Sequence, residues 1–147
     1  MHLKLVHIYP RPNTHLPFED EVAHYLKLAS RWIPSQSRGF ASESAFSVFL
    51  DGSRQHPTVV LCDLHGKMFT SEEFAGWIRL KRDTSAAEVI LGIGPADGWS
   101  AGMLEKADLC LSLGRMTLPH ALARLVLAEQ IYRVATIVGG HPYHLGH

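Results

Sequence analysis

An α/β domain, built on a mostly parallel sheet flanked by helices, is predicted by three features of this sequence. Short apolar runs alternate along the chain with segments of helical spacing, the pattern of repeated strand and helix units. The run Glu88 to Ile93 is continuously apolar after its first residue, which suits a strand buried on both faces. Finally, 147 residues with 46% hydrophobic content fit a single domain, residues 1–147, with one core.

Leu3 to Ile8 reads as the first strand, halted by Pro10 and Pro12. Phe18 to Trp32 follows with helical spacing and an acidic start, Glu19, Asp20 and Glu21, that favours a helix N-terminus. Ile33 to Ser44, with Pro34, Gly39 and several serines, reads as loop. Ala45 to Leu50 is a short helix stopped at Asp51 and Gly52, and Thr58 to Cys62 a strand. Thr70 and Glu73 form a capping box that opens a helix reaching about Arg82. After the strand at Glu88 to Ile93 come a Gly/Pro loop, a short helix at Ser100 to Lys106 and a strand at Leu109 to Leu113. Pro119 suits the first position of a last helix reaching about Arg133.

The 14 basic and 14 acidic residues cancel, so no strong whole-molecule field draws the chain to nucleic acid or to a membrane. RNA contact must then be local or supplied by a second subunit. Cys62 and Cys110 sit in apolar runs without ligand spacing, as expected of reduced cysteines in a cytoplasmic protein. The N-terminus lacks a signal-peptide pattern, and no run approaches the ~18 apolar residues of a membrane span. No targeting segment and no membrane partner are expected.

Ligands of open α/β sheets collect beyond the carboxyl ends of strands. Three segments qualify: Cys62 to Lys67, Ile93 to Gly98, and Leu113 to Leu118. Their glycines allow close backbone approach, and backbone groups between apolar side chains suit a planar adenine. Ordinary turn chemistry explains any one such loop; the conjunction of three points to a pocket. Gly92-Ile93-Gly94 lacks the third glycine of a dinucleotide loop, and no phosphate-binding Lys-Ser/Thr follows, which disfavours NAD and ATP.

The last helix is apolar on most faces yet carries His120, Arg124, Glu129 and Arg133. Glu129 and Arg133 stand four apart in the order that favours pairing. Arg124 has no such local partner, and His120, in the first turn, is read either as a cap or as a neutral hydrogen-bonding group. The tail, His141-Pro142-Tyr143-His144, offers two readings. A zinc site wants three or four ligands and finds neither Cys nor carboxylate in the tail, so no metal is expected. Imidazole and phenol groups that hydrogen-bond or stack on a nucleobase are the better fit.

Together, Ile93-Gly94-x-x-x-Gly98, Leu111-Ser112-x-x-x-Met116-Thr117-Leu118-Pro119-His120, Arg124-x-x-x-x-Glu129-Gln130-x-Tyr132-Arg133 and His141-Pro142-Tyr143-His144 resemble the ribosomal RNA large subunit methyltransferase H family. That family is a minimal branch of the SPOUT methyltransferases, with an α/β knot. Asp63-x-x-Gly66-Lys67 and Ser71-Glu72-x-Phe74-Ala75 extend the resemblance over residues 58–144.

The resemblance implies a C-terminal trefoil knot, a homodimer, S-adenosyl-L-methionine as cofactor, and N3 methylation of a pseudouridine in large-subunit rRNA, free or in the assembled ribosome. Carried over by position, cofactor contacts fall at Cys62, Gly94 and Leu113, Gly114, Arg115, Met116, Thr117 and Leu118. Tyr143 and His144 fall on the substrate-side tail as the groups nearest the base, with Arg124 or Arg133 for phosphate or carbonyl oxygen. Pro95 replaces the second glycine of the family's Gly-Gly loop, Cys62 a leucine, and Tyr9-Pro10-Arg11-Pro12 a Gly-Lys turn. These departures keep two alternatives in view: a methyltransferase for another RNA, and a knotted binding protein without catalysis.

Overall fold

Leu3, Leu5, Val6 and Ile8 are all buried, so the strand that carries them must be covered on both faces, and it lies inside the sheet. This strand, β1 (His2–Ile8), pairs in parallel with β2 (Ser35–Phe40) on one side and β4 (Glu88–Ile93) on the other. The computed structural model describes residues 1–11 and 14–147, so Pro12, read above as part of the stop after β1, lies outside the described residues. Among the described residues the sheet has five parallel strands in the order β2-β1-β4-β3-β5, with β3 at Thr58–Met68 and β5 at Leu109–Ser112. The predicted α/β class with its parallel sheet is the one observed.

Helices cover both faces. Helix α1 (Glu19–Ala29) turns Val22, Leu26 and Ala29 inward at the spacing of one helix face and packs on α5 (His120–Gly139). Helix α3 (Ser71–Asp83) packs on α5 as well, and its capping box is complete: Glu73 N–H donates to Thr70 Oγ1 at 3.1 Å, and Thr70 N–H donates to Glu73 Oε1 at 2.9 Å. These three helices and one sheet face enclose the larger core. On the other face, α2 (Glu43–Asp51) and α4 (Ala101–Leu104) enclose a smaller core around Phe46, Leu61, Ile90 and Trp99. Among the described residues no helix is long and apolar enough to cross a membrane.

Four expectations need correction. Ser35–Phe40 is a strand, not loop: at the sheet edge, with Gln36, Ser37 and Arg38 exposed, it gains backbone pairing without burying an apolar face, so its sequence shows no period. β3 runs to Met68 rather than ending at Cys62, although its register against β5 shifts between Cys62 and Lys67. The short helix expected over Ser100 to Lys106 is confined to Ala101–Leu104. Helix α5 runs past Arg133 to Gly139 and ends at Gly140, whose φ of 75° supports the closing bond from His141 N–H to Thr136 C=O at 2.9 Å. The chain then forms one short helical turn, α6 (Tyr143–Gly146).

Candidate functional site

Because β4, β3 and β5 are neighbours, the carboxyl ends of β4 and β5 converge on the part of β3 where its register breaks after Cys62, and between them lies a cleft of about 170 Å³. Cys62, Asp63 and Leu64 form one wall, Ile93 to Ala96 with Gly98 a second, and Leu113, Gly114 and Met116 to Leu118 a third. The first turn of α5 closes it with His120 and Ala123. Of the predicted cofactor positions, Cys62, Gly94, Leu113, Gly114, Met116, Thr117 and Leu118 line the cleft; Arg115 does not. Gly98 and Gly114 take φ of 87° and 140°, so the loops need glycine there to turn as they do.

Burial pushes the Cys62 thiol up to about 12, with Asp63 adding to the effect, so Cys62 stays protonated and serves as a small apolar wall. His120 is held below the usual histidine range by burial first and by the charge of Arg124 second, with a bond to the Ile8 backbone partly opposing. It is therefore neutral near pH 7, in line with the hydrogen-bonding option left open above. Its Nε2 is buried and meets no hydrogen-bond partner among the described residues.

Arg124 is one turn further along α5 and does not line the cleft. Its side chain is 1% exposed; Nη1 and Nη2 donate to Glu19 at 2.7 and 3.2 Å, and Nη2 also donates to Ser37 Oγ at 2.9 Å. The charge that lacked a local partner in sequence is thus paired 105 residues away, between α5, α1 and β2, and its guanidinium is committed to the fold.

The tail does not reach the cleft of its own chain. Tyr143 Oη donates to Glu129 Oε1 at 3.2 Å, and Arg133 Nη1 donates to His144 Nδ1 at 3.0 Å. Arginine has no acceptor, so Nδ1 is bare and Nε2 carries the proton, which it donates to Glu72 Oε1 at 2.6 Å. That bond holds the Glu72 carboxyl below the ordinary range. Arg133 also holds Glu129 through Nη2 at 2.6 Å and Nε at 3.0 Å, the pairing expected from their spacing. From His120 to Arg133 the axis of α5 rises roughly 20 Å at 1.5 Å per residue. Burial, with Glu129 alongside, pushes the Tyr143 phenol up, so Tyr143 is a donor and not a base. Among the described residues no group of three or more His, Cys, Asp or Glu converges to hold a metal ion.

One lining residue carried no signal in the sequence reading. Trp99 is 8% exposed, and its indole Nε1 donates to the Cys62 carbonyl at 3.0 Å. A tryptophan just after a Gly/Pro loop reads as ordinary core, and only the three-dimensional closure of β3 on β4 places it at the cleft.

Comparison with known proteins agrees with this geometry. The family model for a predicted SPOUT methyltransferase matches residues 13–144. A ribosomal RNA large subunit methyltransferase H from Koribacter versatilis is 46% identical over 124 residues, covering 84% of this chain and 85% of that protein. Its namesake from Allorhizobium ampelinum is 46% identical over 89 residues, 60% of this chain and 56% of that protein. Among solved structures, a probable methylase family protein from Haemophilus influenzae Rd KW20 superposes with a TM-score of 0.55 at 10% identity, over 96% of this chain and 69% of that one. The SpoU methyltransferase AviRb from Streptomyces viridochromogenes gives 0.51 at 12% identity, over 95% and 61%. At such identities the superpositions show a shared fold.

Proposed function

The chain belongs to the SPOUT methyltransferase family, within its ribosomal RNA large subunit methyltransferase H branch, and from that premise we propose that it methylates N3 of a pseudouridine in large-subunit rRNA. The observation that carries this reading is the cleft, whose backbone walls come from the carboxyl ends of β4 and β5 and from the irregular stretch of β3 that lies between them. Its residues suit S-adenosyl-L-methionine. The walls are backbone set between Leu64, Ile93, Leu113, Met116 and Leu118; among the described residues no lysine or arginine lines them for a phosphate, and the buried His120 Nε2 meets no hydrogen-bond partner. When bound, the cofactor supplies an electrophilic methyl group.

The chain's own task is to bind, align and exclude water. Backbone groups of Gly94 to Ala96, Leu113, Gly114 and Met116 to Leu118 would hold the adenine, and the neutral His120 would add a hydrogen-bonding atom without a charge. Tyr143, kept protonated, would donate to a carbonyl oxygen of the base as N3 gives up its proton to solvent water, and His144 would orient that base. Since the tail of one chain stands roughly 20 Å along α5 from the mouth of its own cleft, the site is completed by the tail of a partner subunit. On this reading the protein acts as a homodimer, with the trefoil knot of its family formed where α5 follows the three loops, and an rRNA target places it in the cytoplasm. The substrate is a pseudouridine of large-subunit rRNA, free or in the assembled ribosome.

Ribosomes from a deletion strain should lack the N3-methylpseudouridine, as read by mass spectrometry of the rRNA; an unchanged modification moves the target to another RNA. In methyl-transfer assays, His144→Ala and Tyr143→Phe should each lower kcat by about a hundredfold while leaving cofactor affinity in place. Mixing His144→Ala chains with Gly114→Val chains should restore activity in the hybrid dimer, which contains one intact composite site. Absence of any recovery would sink the shared site.

A further inference from the structure

We infer that Trp99 is the positioning residue that sets the width of the cofactor cleft, a conclusion that rests on the cleft being the S-adenosyl-L-methionine site. The ladder between β3 and β4 ends at Leu61 opposite Gly92. One residue further along β3, at Cys62, the carbonyl accepts from the indole N–H of Trp99 at 3.0 Å. The side chain thus continues the ladder where the backbone stops. Its ring lies against the β4 end as well: a Cβ on Gly94 would stand 2.8 Å from Cε2 and 3.0 Å from Cδ2 and Nε1, and one on Gly92 would stand 3.0 Å from Cζ2. Behind it the indole rests on Phe46, a fully buried ring with its centroid 5.8 Å away, so it has no room to retreat.

Two consequences follow for ligand binding. The separation of the Cys62 wall from the Gly94 wall is fixed by the width of one indole rather than by main-chain pairing. The Cys62 carbonyl is held in place by the indole N–H, and its second lone pair stays open toward the cleft. Gly92 and Gly94 are glycines because the ring occupies the space of their side chains, which is a different requirement from ligand access.

The test is calorimetric titration with S-adenosylhomocysteine, with circular dichroism to show that each variant is folded. Trp99→Phe, which keeps an aromatic ring but lacks the N–H, should raise Kd about tenfold, and in turnover should raise KM for the cofactor with kcat near wild type. Gly94→Ala should weaken binding at least as much, by pressing on the indole. Adding Trp99→Leu to Gly94→Ala removes the ring that the methyl meets, and should recover part of the lost affinity. A Trp99→Phe variant that binds like wild type overturns the inference, as does a double variant no better than Gly94→Ala, since the methyl would then be blocking the ligand itself. A wild-type chain that takes up no S-adenosylhomocysteine overturns the function proposed for the cleft and this inference with it.

Discussion

Alanine in place of Arg124 should lower the folding stability by about 3 kcal/mol, a fall in Tm of about 10 °C for a chain of this length. Arg124 is the bulkiest of the fully buried side chains, and it joins three elements through Glu19 on α1 and Ser37 on β2. Truncation leaves the space of the guanidinium and its stem empty, and strands a carboxylate that was paired at 2.7 Å. The Glu19 side chain is 32% exposed, so water recovers part of its solvation and the loss sits at the low end for a broken buried pair. Arg124→Met, which refills most of the volume, separates the two contributions: it should recover the packing and not the pairing. Urea unfolding of the three proteins measures this, and a loss under ~1 kcal/mol in Arg124→Ala would mean that the pair contributes little.

The same pair gives the stability a defined acid limb. The Arg124 guanidinium, by hydrogen bond and by charge, holds the Glu19 carboxyl below the ordinary glutamate range. A carboxyl whose folded-state pKa lies below its unfolded one contributes fully above the unfolded value, roughly 4.3, and loses that contribution as the pH falls through the lowered folded value. The gap in stability between wild type and Arg124→Met should therefore be constant from pH 7 to about 5 and close below it.

Elements whose stability comes from their own burial were readable in the sequence. The continuous apolar run of β4, the apolar first half of α5 and the Thr70/Glu73 box each declare themselves locally. β2 did not, because an exposed edge strand is held by the β1 backbone and leaves no pattern in its side chains. Arg124 could be recognised as a buried charge in need of a partner, yet nothing local pointed to Glu19 in a different helix. Two of the cleft segments were legible, since strand ends followed by glycine carry positional meaning in a parallel sheet, whereas the third was found at Cys62 although β3 runs on to Met68. Trp99 was not, because its role depends on β3 and β4 being adjacent, which the order of elements along the chain does not reveal.

Gly66→Ala should do more damage to the cleft than any substitution of a lining side chain, although Gly66 does not line it. After leaving its register at Cys62, β3 returns to β5 at Lys67, and Gly66 is where the returning backbone crosses closest. A Cβ there would stand 2.7 Å from the carbonyl carbon and oxygen of Cys110 and 2.9 Å from the carbonyl carbon of Leu111. All three atoms are main chain in a paired strand, so no rotamer change relieves the overlap, and β5 must shift or the second half of β3 must detach. Either movement carries the Leu113 to Leu118 loop, which continues directly from β5, away from the Cys62 wall. The expected result is a loss of about 3 kcal/mol together with a cofactor affinity more than about tenfold weaker at temperatures where the variant is still folded. Gly76→Ala is the control: it sits in α3 with no atom within 4 Å of the added methyl, and should stabilise the chain by about 1 kcal/mol. Thermal unfolding and S-adenosylhomocysteine titration decide between them, and a Gly66→Ala chain with wild-type Tm and Kd would show that β5 is free to move without disturbing the site.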